Sequence, residues 1–290
     1  MNWHNSFISK INGDIEYSHS GENPNDKNMQ EKIPFYTGTS GLLLPVPNKL
    51  SYPEKFKEKS RLTYYGSLFN SIEINSSFYK VPMASTVVKW ATQVPEDFKF
   101  TFKLHRGITH QRGLIFDPVE VSSFMKIISG AGSKKGCLLI QLPPSLKIEY
   151  KNQLFRMLTI IKELNEPDSW GLAVEFRDNS WYVGHIYDLM KKLGIAIVVH
   201  DMPKSKTPII EESQNFVYIR FHGAAGDYRG SYSYEILDFY KQNICSWLGQ
   251  GKKVFLYFNN TIGDAIKNGM DINRMVLDEF TEDKVPHVGG

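Results

Sequence analysis

Residues 71–82 read SIEINSSFYKVP, and the pattern within them is central to the choice of fold. The alternation predicts a strand in which Ile72 and Ile74 share one apolar face. Glu73 and Asn75 share the other face, which is polar for one of two reasons. It is the exposed surface of a sheet, or it looks into the centre of a barrel toward a site. The rest of the chain favours the barrel.

Short apolar runs of this kind occur eight times, and their β-branched and aromatic content predicts strands. Stretches with helical spacing separate most of them, for example STVVKWATQV (85–94) and HIYDLMKKLG (185–194). The stretch between the sixth and seventh runs is short and contains proline, which predicts a reduced or missing helix. The predicted strands are FYTGTSG (35–41), SIEINS (71–76), KFTFKLH (99–105), GCLLIQLP (136–143), GLAVEFR (171–177), GIAIVVHD (194–201), FVYIRFHG (216–223) and KVFLYFNN (253–260).

Strands that alternate with helices predict a parallel sheet, because a parallel return needs a crossover connection. Eight such units predict an α/β fold of the (β/α)8 TIM-barrel type. An open doubly wound sheet is the competing fold, but no G-x-G-x-x-G follows the first strand. We expect one barrel domain at 33–281, a polar and flexible N-terminal extension at 1–32, and a loose tail at 282–290.

The bulk properties are those of a soluble globular protein. A net charge of +3 fits an anionic partner without requiring one. Cys137 and Cys245 both lie in apolar settings, which predicts two buried thiols in a reduced cytosol rather than a disulfide. No leader and no apolar run of about 18 residues is present, so we expect a cytoplasmic protein without a membrane segment.

The predicted strands place their polar side chains on one face and toward their carboxyl ends. In the third strand, Lys103 and His105 oppose a phenylalanine-rich face, and in the fifth, Glu175 and Arg177 oppose an aliphatic one. Because the carboxyl ends of parallel strands meet at one mouth of a barrel, these side chains are predicted to share a single site. Other residues predicted to point inward are Arg220, His222, Gln141 and Asn259. His200 and Asp201 are adjacent, so only one of them is predicted to do so.

The predicted inward set contains both signs of charge. Glu73 and Glu175 are expected to offset Lys103 and Arg220, because a buried charge needs a partner. These four deeper residues either carry chemistry or only fill the barrel with salt bridges. The inward residues nearer the mouth, such as His105 and His222, are expected to face a ligand. An ion pair with either glutamate would keep Lys103 protonated and so argue against its use as a Schiff-base lysine.

Loops at the same mouth add further candidates. KLHRGITHQR (103–112) gathers cations, including Arg106 and His110, which suits a phosphate or carboxylate group or only a solvated surface. The glycine-rich loop 223–234 supplies Tyr228, and a short helix opens after Asn260. Tyr79 and Trp181 could stack on a base or a sugar, or simply pack against the protein.

Motifs for metal binding and for a serine nucleophile are absent. The sequence contains no C-x-x-C, no H-E-x-x-H and no G-x-S-x-G. Acidic residues and histidines from different strands could still converge on a divalent metal, so the cofactor stays undetermined and a metal is not favoured.

Seven strings occur in the order typical of one family. They are GTSG, FNSIEINSSFY, KLHRGITH, QLPPS, AVEFRDNSW, RFHG and YFNN. From about residue 35 to 275 the chain resembles the YecE-like proteins, domain of unknown function 72. The resemblance implies a TIM barrel that is distantly similar to endonuclease IV and sugar-isomerase barrels. The family's activity is not established, although nucleic-acid binding has been suggested.

The resemblance also implies a set of recurrent polar and aromatic positions. One departure from the family pattern is LLLPVPNKLSYP (42–53), which follows GTSG where members commonly have a Trp-Ser-Tyr-Pro-like string. The loop over the first strand is therefore expected to differ. The implied positions are Glu73, Asn75, Phe78, Tyr79, Lys103, Arg106, Thr109, His110, Gln141, Glu175, Arg177, Trp181, Arg220, His222, Gly223, Asn259 and Asn260.

Three hypotheses follow for function. The first is an enzyme that acts on an anionic, phosphate-bearing substrate by acid–base chemistry, with basic side chains stabilising negative charge. The second is a non-catalytic barrel that binds nucleic acid or a nucleotide. The third and weaker one is a metal-dependent sugar-phosphate isomerase or lyase. The predicted catalytic residues are Glu73, Lys103, His105, Glu175 and His222. The predicted substrate-binding residues are Asn75, Tyr79, Arg106, His110, Gln141, Arg177, Trp181, Arg220, Tyr228, Asn259 and Asn260.

Overall fold

The computed structural model of the chain describes residues 33–165, 169–208 and 215–282. The predicted extension at 1–32 and residues 283–290 of the predicted tail lie outside these ranges. The strands are β1 (Phe35–Thr39), β2 (Ser71–Ile74), β3 (Lys99–Lys103), β4 (Lys135–Gln141), β5 (Gly171–Glu175), β6 (Ala196–Ile197), β7 (Val199–His200), β8 (Phe216–Phe221) and β9 (Lys253–Phe258). The helices are α1 (Arg61–Tyr65), α2 (Ala84–Ala91), α3 (Arg106–Thr109), α4 (Pro118–Ile128), α5 (Lys151–Leu164), α6 (Gly184–Leu193), α7 (Tyr234–Gly249) and α8 (Ala265–Glu282). Strands alternate with helices over most of the described part, with the exception of β6 to β8.

The strands form two parallel sheets, so the predicted α/β class with parallel strands is confirmed. One sheet has the order β1-β9-β8-β7 and the other β2-β3-β4-β5-β6. Only Val198 separates β6 from β7, and one parallel bridge, Ser40 to Glu73, joins the end of β1 to β2. Several strands end before their predicted limits, so that Asn75, His105 and Arg177 lie just beyond them.

Alternate residues of the strands enter two different apolar clusters. Phe100 and Phe102 of β3 belong to a large cluster with the surrounding helices. Leu139 of β4, Tyr218 of β8 and Tyr257 of β9 belong to a second cluster, which is built from both sheets. Residues from both sheets therefore pack together in the second cluster, and β4 and β5 have one face in this cluster and the other in the large one.

β1 and β2 approach each other closely although they belong to different sheets. The Tyr65 hydroxyl accepts a hydrogen bond from the backbone N–H of Thr39 at 2.8 Å and donates one to the carbonyl of Ser71 at 3.2 Å. Gly38 lies at the closest point, where an added Cβ would stand 2.1 Å from the Ser71 carbonyl oxygen. Only glycine fits there, because real Cβ atoms do not approach backbone to that distance.

The helical regions agree with the apolar spacing in most places. α7 begins after the N-cap residue Ser233, and α6 is followed by its C-cap residue Gly194, which has a φ of 68°. The described part of the β7–β8 connection, residues 201–208, contains no helix. No described helix has an apolar stretch long enough to cross a bilayer.

The two cysteines are free and lie in different surroundings. Cys137 is buried in the second cluster, and this burial raises its pKa well above the ordinary value. Cys245 is only partly buried, which corrects the prediction of two buried thiols. It lies near the end of α7, where one side of the helix remains open to solvent.

Candidate functional site

One buried guanidinium joins two buried glutamates at the carboxyl ends of the strands. Arg220 on β8 places Nη1 2.5 Å from Oε2 of Glu175 and Nη2 2.7 Å from Oε1 of Glu73. None of the three side chains has exposed surface. The expected sharing of these carboxylates between Lys103 and Arg220 is therefore wrong, because the two ends of one guanidinium hold both glutamates.

Other donors occupy the remaining acceptor positions of these carboxylates. The Ser40 hydroxyl donates to Oε1 of Glu73, and the Tyr218 hydroxyl donates to its Oε2 at 2.5 Å. Nε of Arg177 donates to Oε1 of Glu175. Burial opposes ionisation of Glu175, but the guanidinium groups beside it hold its pKa well below the ordinary value. Glu175 is thus a fixed carboxylate and a poor proton acceptor at neutral pH.

His222 lies between the arginines and an aspartate. Its Nε2 is 3.0 Å from Nη2 of Arg177 and 3.2 Å from Nη1 of Arg220, and its Nδ1 is 3.2 Å from Oδ1 of Asp201. Arginine nitrogens only donate, so Nε2 accepts and Nδ1 carries the proton. Burial lowers the pKa of His222 to about 4 even though Glu175 acts in the opposite direction. The ring is therefore neutral, and its lone pair is already engaged.

Asp201 and Tyr232 complete this network. Asp201 also accepts from the backbone N–H of His222 at 2.8 Å and from the Tyr232 hydroxyl. The same hydroxyl accepts from the backbone N–H of Gly223 at 2.6 Å. Asp201 and Tyr232 both lie in loops, so apolar periodicity does not predict that their side chains reach the site. Tyr218 lies two residues before Arg220 on the same strand, so alternation does predict that it points the same way.

Both members of the His200–Asp201 pair approach the network, which corrects the expectation that only one would. The His200 ring lies 5.7 Å from the His222 ring, and its Nε2 lies 2.8 Å from the carbonyl oxygen of Phe176. Asp201 follows the last residue of β7. The chain has left the strand at that point, so alternation no longer fixes the direction of its side chain.

Lys103 lies at the end of a neighbouring strand and forms no ion pair with the carboxylates of this network. It ends β3 with 7% of its surface exposed, and its Nζ lies 4.0 Å from the centroid of the Phe78 ring. Among the described residues, no carboxylate forms an ion pair with it. Burial lowers the pKa of Lys103 to about 7, and Arg220 acts in the same direction. A large fraction of this amine is therefore unprotonated at neutral pH.

His110 packs against the same Phe78 ring as Lys103. Its ring centroid is 4.8 Å from that of Phe78, and its Nδ1 is 2.9 Å from Oγ1 of Thr109. Burial, together with the cations Lys103 and Arg106, lowers the pKa of His110 to about 4. The exposed Arg106 thus belongs to the same positively charged neighbourhood.

The amide side chains at the strand ends differ in their hydrogen bonding. Oδ1 of Asn75 is buried and has no hydrogen-bond partner among the described residues. Gln141 donates to the neighbouring carbonyl of Leu142 at 3.1 Å. Asn259 is 7% exposed, and Asn260 supports its own loop by donating to Gly230 at 3.0 Å. Oδ1 of Asn260 is likewise buried without a partner among the described residues, so Asn75 and Asn260 are the two amides with an acceptor open to a ligand donor.

Two residues expected at the site have local structural contacts instead. Nδ1 of His105 accepts from the backbone N–H of Gly107 at 3.2 Å and so caps α3. Trp181 is fully buried, with its ring stacked 4.8 Å from that of Phe176, and its indole N–H donates to the carbonyl of Leu146 at 2.8 Å. This burial leaves Trp181 no surface for a ligand.

Two tyrosines do remain accessible on the loops after the strands. Tyr79 is 66% exposed, and Tyr228 is 36% exposed with its ring 6.0 Å from that of His222. Tyr228 has a φ of 65°, a left-handed conformation that is uncommon for a residue other than glycine. Tyr228 therefore stands between the buried network and solvent.

No metal-binding group of side chains marks the described part of this region. The described residues contain no group of three or more histidine, cysteine or acidic side chains arranged to hold a metal ion. A cavity of about 60 Å³ lies elsewhere, lined by apolar residues that include Met190, Phe216 and Trp247. Its lining contains no charged side chain, so the charged cluster is the better candidate for chemistry.

Comparison with known proteins gives consistent results. The UPF0759 protein YunF of Bacillus subtilis is 28% identical, with 79% of this chain and 91% of that protein covered. YecE of Escherichia coli K12 is 33% identical over 42% of this chain and 43% of its own length. A crystal structure of a DUF72 family protein from Thermotoga maritima has a TM-score of 0.69 at 28% identity and covers 84% of this chain and 99% of that one.

A second DUF72 crystal structure, from Enterococcus faecalis, supports the fold. It has a TM-score of 0.68 at 21% identity, covering 84% of this chain and 95% of that chain. The family model described as "Protein of unknown function DUF72" matches residues 36–287, which is most of the sequence. The chain therefore belongs to the DUF72 family.

Proposed function

We propose that the protein is an enzyme that acts on an anionic, phosphate-bearing substrate at the carboxyl ends of its strands. The observation that carries this proposal is the unpaired, largely buried amine of Lys103 beside Arg106, His110 and Arg177. Of these basic groups only Arg177 is paired with a carboxylate, Glu175, and such an excess of basic groups favours a bound anion. A phosphate suits the region because it can accept from several of these donors at once.

We further propose that the two sheets are the halves of one (β/α)8 barrel. The strand order within each sheet follows the chain, apart from the pairing of β1 with β9 that a ring requires. The Ser40–Glu73 bridge and the single residue between β6 and β7 lie where the two sheets would join. The interior cluster common to both sheets supports the same arrangement.

Within this site, Lys103 is the group best suited to donate and accept a proton. Its pKa of about 7 allows both states at neutral pH, which is the condition for efficient acid–base catalysis. Glu73, Glu175 and His222 were the expected acids and bases, but each has its acceptor atoms occupied by buried donors. We assign them the role of fixing Arg177 and Arg220 in place.

Binding and turnover of phosphate compounds test this function. We expect inorganic phosphate and phosphate monoesters to bind, as measured by calorimetry at low salt, and Arg106→Met to weaken binding about tenfold through the loss of one charge-assisted contact. Arg112→Met is the matched control, since Arg112 is an exposed arginine on the same loop. A monoester that the wild type converts should not be converted by Lys103→Met. No binding by any of these anions, or equal losses in both arginine variants, contradicts the proposal.

A nucleic-acid or nucleotide ligand without chemistry is the second candidate. The exposed rings of Tyr79 and Tyr228 favour it, because aromatic side chains at a basic rim can stack on bases. This candidate predicts that binding of single-stranded oligonucleotides falls steeply with salt and is weakened by changes at Arg106, Arg112 and Arg229. Binding that does not respond to salt, or that survives Tyr79→Ala with Tyr228→Ala, contradicts it.

A further inference from the structure

We propose that Lys103 is a nucleophilic amine, and that the substrates of this site are anions that also carry an aldehyde or ketone group. This inference deepens the proposed function and rests on it, because both place the substrate at the carboxyl ends of the strands. It adds a covalent step, the formation of an imine between Nζ of Lys103 and the carbonyl carbon.

The first argument is the isolation of the amine from carboxylates. The two glutamates that could pair with Lys103 are engaged by Arg220 and Arg177. The amine instead faces the ring of Phe78 at 4.0 Å. A lysine attacks a carbonyl only when its nitrogen is unprotonated, and burial of the amine together with the neighbouring cation Arg220 favours that state.

The second argument is the effect of the buried charge of Arg220 on the Lys103 amine. Arg220 is closed in by Glu73, Glu175 and Ser40, so it can act on Lys103 only through its positive field. The fixed positive charge of Arg220 disfavours a second positive charge on Lys103. Because the guanidinium is already held in place, it does not have to reorganise during a reaction. Without this cation, Glu73 and Glu175 would draw a proton onto the lysine.

The third argument is the presence of the accessory groups that such a substrate needs. Arg177, with 8% of its side chain exposed, and the exposed Arg106 offer positive charge for the anionic end. His110 contacts the same Phe78 ring as Lys103 and is a neutral base at pH 7. The buried and unpartnered Oδ1 of Asn75 can accept a hydrogen bond from a hydroxyl of the substrate.

The chemistry of the step balances without an added reagent. The lone pair of Nζ forms a bond to the carbonyl carbon while the C=O π electrons move to the oxygen, which takes up a proton. The resulting carbinolamine loses that oxygen as water, and the nitrogen forms a double bond to carbon. The net change is amine plus carbonyl giving imine plus water, and His110 can accept and return the proton that moves.

Reductive trapping on the full chain tests the inference. The chain is incubated with pyridoxal 5′-phosphate, glyceraldehyde 3-phosphate or glyceraldehyde in the presence of cyanoborohydride, and the modified lysines are located by peptide mass mapping. We expect Lys103 to be modified at least about tenfold faster at pH 7 than the exposed Lys126, because a pKa of about 7 gives it a far larger free-amine fraction. The rate at Lys103 should rise with pH and level off above about pH 7.

Two variants and one competitor sharpen the result. Lys103→Arg should remove the fast modification, whereas Lys126→Arg should leave it unchanged. Inorganic phosphate should slow the reaction of the two phosphate-bearing aldehydes at Lys103 but not the reaction at Lys126. If Lys103→Arg does not fold, the pH dependence and the phosphate competition in the wild type still decide the question.

The outcomes separate this inference from the function on which it rests. Phosphate binding with no preferential adduct at Lys103 overturns the nucleophile and leaves the anion site standing. A fast adduct with glyceraldehyde that phosphate groups do not enhance supports the amine and overturns the phosphate-bearing substrate. Neither phosphate binding nor a preferential adduct overturns both.

Discussion

Arg220 and Glu175 form an ion pair with 2.5 Å between Nη1 and Oε2, and neither side chain has any surface exposed to solvent. Because the same guanidinium also binds Glu73, this one cation compensates two buried negative charges on two other strands. Removal of one member of a buried pair leaves the other member desolvated and uncompensated, which costs more than the pair contributes when it is intact.

Arg220→Met is therefore expected to lower the free energy of unfolding by about 3–5 kcal/mol. The methionine has a similar length but leaves Glu73 and Glu175 without their shared cation. Urea unfolding monitored by fluorescence measures the change. Arg274→Met is the matched control, since the Arg274 side chain is 73% exposed, and it should have little effect. A loss of less than about 1 kcal/mol for Arg220→Met would show that the glutamates find other compensation.

Tyr232→Phe should destabilise the protein by about 1–3 kcal/mol. The change removes the hydroxyl that donates to Asp201 and leaves the backbone N–H of Gly223 without its acceptor. Tyr234→Phe provides the comparison, because Tyr234 is 67% exposed and only two residues away. Thermal and urea unfolding of both variants measure the difference. Equal stability of the two would mean that the buried hydroxyl contributes nothing measurable.

Lys103→Met should stabilise the protein, and the gain should depend on pH. The native pKa of Lys103 is about 7 and the ordinary value is 10.5, so the native state binds fewer protons than the unfolded state between those limits. The wild type therefore bears the full cost of the buried ammonium below pH 7 and loses it gradually up to about pH 10.5. We expect the variant to gain about 5 kcal/mol at pH 6 and much less at pH 9.5.

The control for this variant is Lys126→Met, at an exposed lysine, whose stability difference from the wild type should stay flat over the same pH range. A pH-independent gain for Lys103→Met would argue for improved apolar packing instead of a relieved charge. Urea unfolding at several pH values distinguishes the two.

The wild type should lose stability as the pH falls from about 6.5 to 4. His110 and His222 have native pKa values of about 4, below the ordinary 6.5, so the unfolded state binds more protons throughout this window. His222→Asn should reduce the slope of stability against pH by up to about one proton. His185→Asn should leave the slope unchanged because His185 is exposed. An unchanged slope for His222→Asn would mean that the ring is already protonated in the native state.

Gly38→Ala should be strongly destabilising, by about 3 kcal/mol or more. The new methyl group would lie 2.1 Å from the Ser71 carbonyl oxygen and 2.7 Å from the Tyr65 hydroxyl, so β1 and β2 must separate. Gly249→Ala is the control, since nothing lies within 4 Å of its added Cβ. Thermal unfolding of both variants tests the close approach of the two sheets. A Gly38→Ala protein as stable as the wild type would contradict this approach.

Much of the architecture follows from local pattern alone. Alternation and β-branched content identify the strands, and alternating helical segments require them to be parallel. The pattern is least informative at the strand ends, where Asn75, His105 and Arg177 fall outside the hydrogen-bonded ladders. Beyond the strands the chain direction depends on turns, such as the one capped by the His105 ring. Side chains in turns do not alternate between two faces, so their direction cannot be predicted from alternation.

The candidate site is less predictable because its contacts join distant parts of the chain. Spacing indicates that Glu73, Glu175, Lys103 and Arg220 lie on inward faces, but it does not state which cation meets which carboxylate. Likewise, Trp181 resembles an accessible aromatic residue in the sequence and is buried in the structure because Phe176 and the Leu146 carbonyl provide partners for its ring and its N–H.

The guanidinium of Arg220 also constrains the order in which the protein can assemble. It lies 147 residues from Glu73 and 45 from Glu175 along the chain. A growing polypeptide that stops short of β8 contains Glu73, Glu175 and Arg177 but not the guanidinium that joins the two glutamates, so Glu73 has a reason to stay hydrated. Contacts of such long range form slowly. We therefore expect the interior to close only after synthesis has passed the seventh of the eight predicted strands, as a single late event.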